Sequence, residues 1–205
     1  MPSPSHAGSA RYYAMLSHCV IALLLSALSP ISSSYAASIE LPSTEVRQQL
    51  REAINAAPSF GDRFDAEVWL VDMSSRLERY VKDPQERLAI LRLVHHYATQ
   101  ANLSPQLVLA VIEVESHFNR FAISSVGAQG LMQIMPFWKN EIGTQQDNLT
   151  HIETNLKYGC SILSHYLKKE KGGLTQALAR YNGSYNQTWY PEKVLLAWEK
   201  HWFVN

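Results

Sequence analysis

From Ala37 onward, apolar residues recur mostly at helical spacing, and no run of strict alternation stands out. The pattern predicts helices over 44–56, 65–80, 105–118, 151–169, 174–181 and 191–202, with a further one starting at Pro84. Asp83-Pro84 and Ser104-Pro105 each pair a capping side chain with proline at the first helical position. Lys171-Gly172-Gly173 and Asn182-Gly183 are stop signals. Over 65–80, Val68, Leu70, Val71, Leu77 and Tyr80 read as one buried side. Residues 122–130, which contain glycine and serine, break the pattern, and Pro136 kinks or restarts it. The predicted fold is therefore mainly α.

The first 36 residues read differently. Cys19–Leu28 is apolar apart from Ser26, too short for a membrane span of roughly 20 residues, and it suits the hydrophobic region of an export signal. Ser34-Tyr35-Ala36 offers a cleavage site after Ala36, so 1–36 is predicted as a signal peptide, with an uncleaved membrane anchor as the alternative. The expected location is periplasmic or secreted. Cleavage removes Cys19 and leaves Cys160 alone in a helical pattern, where it reads as a small buried side chain.

Charge excludes one class of function. The chain has 205 residues, with Lys+Arg 18 and Asp+Glu 18, hence no net charge and no strong basic field for nucleic acid. No ligand spacing for a metal is present. His95 and His96 are adjacent rather than helix-spaced and read as a helix surface or boundary.

The informative helix is 105–118. At about 100° per residue, Leu107, Val108, Val111, Val114 and Phe118 share one arc. Glu115 falls inside that arc, whereas Glu113 falls opposite and reads as a surface charge. A carboxyl group facing an apolar surface is held protonated by desolvation, and such a group can serve as a general acid. A structural glutamate, paired or capping, is the other reading of the same position. In the segment that follows, Gly127 and Gly130 allow close backbone approach, and Gln133 offers both a donor and an acceptor.

Glu115-Ser116 followed by Ser124-x-Val126-Gly127-Ala128-x-Gly130-Leu131-Met132-Gln133-Ile134-Met135-Pro136 resembles the catalytic core of the soluble lytic transglycosylase family. Asn155-x-x-x-Gly159 with Tyr166-Leu167, Ala177-Leu178-Ala179-x-Tyr181-Asn182, and Tyr190 with Lys193-Val194 are similar to three later motifs of that family, in order. The resemblance covers about residues 101–198. It implies a lysozyme-like helical catalytic domain over 101–205; the N-terminal helical segment 37–100 lies outside these motifs, and its amphipathic helices are expected to dock against that domain. It also implies cleavage of the β-1,4 bond between N-acetylmuramic acid and N-acetylglucosamine in peptidoglycan, with 1,6-anhydromuramyl products and no cofactor.

Under that resemblance Glu115 is the catalytic acid and base. Ser124 hydrogen-bonds near Glu115, Gln133 contacts the sugar, Tyr181 orients Glu115 or the N-acetyl group, and Asn182 fixes the adjoining turn. The expected partners are peptidoglycan glycan strands, with cell-envelope machinery as a further possibility. The chain departs from the family at Gly183-Ser184, where many members read Ala-Gly, and at Gln187-Thr188, where many read Glu-Thr. A hydrolytic muramidase would need a second carboxylate, for which Asp147 and Glu153 are the nearest candidates. A peptidoglycan-binding protein without turnover is the reading from another class. Trp138, Trp189, Trp198 and Trp202 read mostly as core, and Tyr185 and Trp189 are the better candidates for sugar platforms.

Overall fold

A computed structural model describes Gln48, Ser59 and residues 61–204. The chain divides into two units, Met1–Glu40 and Leu41–Asn205, and every described residue lies in the second. The predicted signal segment and nearly all of the predicted helix 44–56 lie outside the described residues.

Among the described residues seven α-helices follow in order: α1 Arg63–Leu77, α2 Pro84–Gln100, α3 Pro105–Ser116, α4 Trp138–Ile142, α5 Ile152–Lys169, α6 Leu174–Asn182 and α7 Trp189–Ala197. A π-helical turn, Trp198–Trp202, continues α7 without a break. Among the described residues the β-structure is limited to two isolated bridges, Ile123 with Gln129 and Gln129 with Ile134. The mainly α prediction is met.

The start signals at Asp83 and Ser104 act as expected, accepting from the amides of Gln85 and Leu107, and Asp62, which the sequence pattern did not single out, accepts from Phe64 and Asp65. The end of α3 comes two residues earlier than the pattern predicts. His117 and Phe118 both take left-handed backbone, at φ 50° and 64°, which stops the helix and turns Phe118 into the core. His117 itself is exposed, in line with its reading as surface.

One core joins the helices. Leu70, Met73 and Leu77 of α1 and Leu91 and Val94 of α2 lie in the same cluster as Leu109 and Ile112 of α3 and Leu156 and Leu163 of α5. The face predicted for α1 needs correction. Ala66, Leu70, Met73 and Leu77 point inward, while Val68 and Val71 are exposed. The helix carries two apolar stripes, and the 66/70/73/77 spacing follows the longer unbroken ridge. Cys160 is buried and free, and burial pushes its thiol well up, so it remains protonated. Among the described residues no helix is long and apolar enough to cross a membrane.

Candidate active site

Glu115 sits in the last turn of α3 with partial exposure. Tyr190, at the start of α7, donates its hydroxyl to Glu115 Oε1 at 2.6 Å. The Asn182 side chain, at the end of α6, hydrogen-bonds to the same carboxyl group. Desolvation nevertheless dominates and lifts Glu115 from an ordinary 4.5 to about 7, with the bonds from Tyr190 and Asn182 pulling the other way. The carboxyl group is thus poised to release and recover a proton near neutral pH. Burial and the nearby carboxylate hold the Tyr190 and Tyr181 hydroxyls well above their ordinary range, so both stay protonated donors.

The segment between α3 and α4 is fixed to this helix from below. Ser116 Oγ donates to the carbonyl of Leu131 at 2.7 Å. The fully buried Asn155 of α5 accepts from Met132 N–H at 2.7 Å, and its Nδ2 donates to the carbonyls of Gln129 and Leu149 at 2.8 and 2.7 Å. Gly130 has φ 77°, and a Cβ there would lie 2.4 Å from both Asn155 Nδ2 and Leu149 O. Gly159, one turn beyond Asn155, leaves room for Met132, whose Sδ would lie 2.2 Å from an added Cβ. The Asn155-x-x-x-Gly159 spacing therefore holds the irregular segment by hydrogen bonds at one end and by close packing at the other.

The other predicted site residues are placed as follows. Ser124 Oγ accepts from Ala128 N–H at 3.0 Å and closes its own turn; it makes no hydrogen bond to Glu115. Gln133, at φ 50°, donates Nε2 to the carbonyls of Gly130 and Ala122 at 2.9 and 3.2 Å, which leaves its Oε1 without a partner among the described residues. Tyr181 donates to the carbonyl of Met132 at 2.8 Å rather than to Glu115. The hydroxyl that orients the acid is that of Tyr190. The closing motif contains Tyr190, but nothing in the linear pattern says which tyrosine meets Glu115, because the two residues lie 75 positions apart.

Glu113 is not a surface charge. It is 8% exposed and accepts from Trp202 Nε1 at 2.7 Å, while His201 Nδ1 lies at 2.8 Å and Arg79 at 3.9 Å. The face of α3 opposite Glu115 is covered by the π-helical turn, and Trp202 is fully buried there against Phe118 and Tyr80. The periodicity of one helix cannot register a cover supplied from 88 residues away. The two carboxylates considered for water activation both accept hydrogen bonds within the fold. Asp147 accepts from Tyr158 and from Thr144, and Glu153 accepts from Tyr97 at 2.9 Å.

Residues 92–193 match the family model described as the transglycosylase SLT domain. The chain belongs to the transglycosylase SLT family. Within this SLT chain, 105 residues are 36% identical to a transglycosylase of Enterobacteria phage PRD1, covering 48% of the chain and 38% of the phage protein. A shorter stretch of 46 residues is 46% identical to the membrane-bound lytic murein transglycosylase C of Actinobacillus pleuropneumoniae, covering 22% of the chain and 13% of that protein. The chain thus spans well under half the length of these curated relatives. A solved structure of an inactive mutant of the lytic transglycosylase Slt from Pseudomonas aeruginosa aligns with 69% of the chain and 26% of its own, at 25% identity and a TM-score of 0.42.

Proposed function

We propose that the chain is a peptidoglycan lytic transglycosylase with Glu115 as its single acid and base. The observation that supports this most directly is one desolvated carboxyl group near pKa 7, held by Tyr190 and Asn182. Protonated Glu115 donates to the glycosidic oxygen as the bond from the muramyl C1 breaks. The leaving N-acetylglucosamine takes that proton, and the muramyl acetamido group shelters the positive charge at C1. The C6 hydroxyl of the same muramyl unit then attacks C1 and returns its proton to Glu115. The product is a 1,6-anhydro ring, and no water is consumed. Hydrolases of comparable substrates ordinarily pair two carboxylates. Here Asp147 and Glu153 are both engaged in structural hydrogen bonds.

Gln133 Oε1 and the Asn182 amide are the polar groups assigned to the sugar at the cleavage point, and Ser124 shapes the turn that carries Gly127 and Ala128. Residues 101–205 form the catalytic part, with the described portion of 37–100 packed into its core. Action on glycan strands places the chain outside the cytoplasmic membrane, by way of the predicted signal 1–36, and cell-envelope machinery is its expected setting. The test is mass spectrometry of fragments released from purified sacculi. Non-reducible 1,6-anhydromuramyl ends that vanish with Glu115→Gln are expected. Reducible muramic ends would establish a hydrolase, and binding without release would leave a glycan-binding module.

A further inference from the structure

We propose that Trp189 and Lys193 form a subsite that reads the carboxylate-bearing side arm of a muramyl unit, an inference that rests on the peptidoglycan reading above. Large aromatic side chains are usually withdrawn from water, and Trp202 follows that rule here. Trp189 does not, being 47% exposed. Its indole is nonetheless held in place. Nε1 donates to Gln187 Oε1 at 2.7 Å, and the ring meets that of Tyr190 edge-on at 5.9 Å. Tyr190 in turn holds Glu115, so the exposed ring adjoins the residue that orients the acid. A fixed, exposed indole offers an apolar platform of the kind that packs against the face of a sugar ring.

The charge beside it is what distinguishes this platform. Lys193 places Nζ 5.1 Å from the Trp189 ring centroid and makes no ion pair among the described residues. Its neighbour in sequence, Glu192, does not neutralise it. The first turn of α7 lacks a side-chain cap, since Thr188 makes no such bond, and Glu192 is its acidic residue. Tyr185 provides an internal contrast. It is 45% exposed and Arg180 lies 3.7 Å from its ring centroid, but Arg180 is already paired with Glu170. Of these two platforms, Trp189 is the one beside a cation with no ion-pair partner among the described residues. In a strand of alternating sugars, only the muramyl unit bears a carboxylate, either on its lactyl arm or on the peptide attached there.

The test is a titration of the full chain carrying Glu115→Gln, which removes turnover and reads binding alone. The probes are chitotetraose, which is neutral, a peptide-free tetrasaccharide of N-acetylglucosamine and N-acetylmuramic acid, and the same tetrasaccharide bearing its peptides. The anionic sugars should bind more tightly than chitotetraose, and the difference should shrink as salt rises. Adding Lys193→Gln should weaken the anionic sugars by roughly threefold to tenfold and leave chitotetraose unchanged. Lys193→Arg should restore the preference, and Trp189→Ala should weaken all three probes. Loss confined to the peptide-bearing probe assigns the anion to the peptide, loss confined to the peptide-free probe assigns it to the free lactyl carboxylate, and loss on both assigns it to whichever carboxylate the arm carries. Unchanged discrimination in Lys193→Gln, with sugar binding retained, overturns the subsite alone. Failure of all three probes to bind overturns the glycan reading with it.

Discussion

Tyr190 and Glu115 are joined by a 2.6 Å hydrogen bond that ties the first turn of α7 to the last turn of α3. The bond favours the charged form of a carboxyl group that burial would keep neutral. Tyr190→Phe should therefore raise the Glu115 pKa above about 7. The alkaline limb of kcat/KM should move to higher pH, because protonated Glu115 persists further. Its maximum should fall roughly tenfold for want of orientation. A pH profile of glycan cleavage checks both effects, and an unmoved alkaline limb would contradict the assigned role of Tyr190.

Glu115 also makes the fold sensitive to pH. Its folded value of about 7 exceeds the ordinary 4.5. Between those two values the folded chain keeps a proton that the unfolded chain has released, so stability falls as pH rises through that window. The cost is absent below about pH 4.5 and complete above about pH 7. It is on the order of 3 kcal/mol. Glu115→Gln should thus melt higher than the natural chain at pH 8 and alike at pH 4. Equal melting at both pH values would show that the carboxyl group is not desolvated.

Asn155→Ala should be among the most damaging single changes. It strands the buried amide of Met132 and the carbonyls of Gln129 and Leu149 together. A loss of about 3 kcal/mol or more is expected in urea unfolding. Asn155→Asp should rescue only part of this, because a carboxylate can accept from Met132 but cannot donate to the two carbonyls.

Trp202→Phe removes the indole donor from Glu113 Oε2 and leaves a buried carboxylate oxygen short of a partner. About 2 kcal/mol of stability should be lost. Glu113→Gln in the same background should restore part of it, since a neutral amide suffers less from the missing donor.

Ser184 stands where many family members have glycine, and its buried Oγ has no hydrogen-bond partner among the described residues. Ser184→Ala should therefore be neutral or raise stability by up to about 1 kcal/mol. A large destabilisation on thermal melting would mean that this hydroxyl is bonded after all.

Local signals carried much of this fold. Asp83-Pro84 and Ser104-Pro105 start their helices as written, and Gly183 ends α6 in left-handed backbone. Glu115 could be singled out because its neighbours at helical spacing are apolar. What the chain order hides is contact between distant segments. Glu113 has the same chemistry as Glu115 and the more polar setting in the linear pattern, yet it is the more buried of the two once Trp202 and His201 fold over it. The choice between Tyr181 and Tyr190 as partner of Glu115 is likewise made by how α6 and α7 pack, and both tyrosines sit in motif positions. The left-handed pair His117-Phe118 has no glycine or asparagine to announce it, so the α3 terminus could not be read.

The segment anchored by Asn155 has a consequence for motion. Residues 129–134 belong to no helix, and irregular backbone is where a mobile flap would ordinarily form. Here the Met132 amide is sealed inside a hydrogen bond to a fully buried side chain. Its exchange with deuterated solvent should be as slow as that of amides in the middle of α3 or α5, with release only on global unfolding. The segment tied to the end of α3 is then a rigid part of the fold rather than a closing flap.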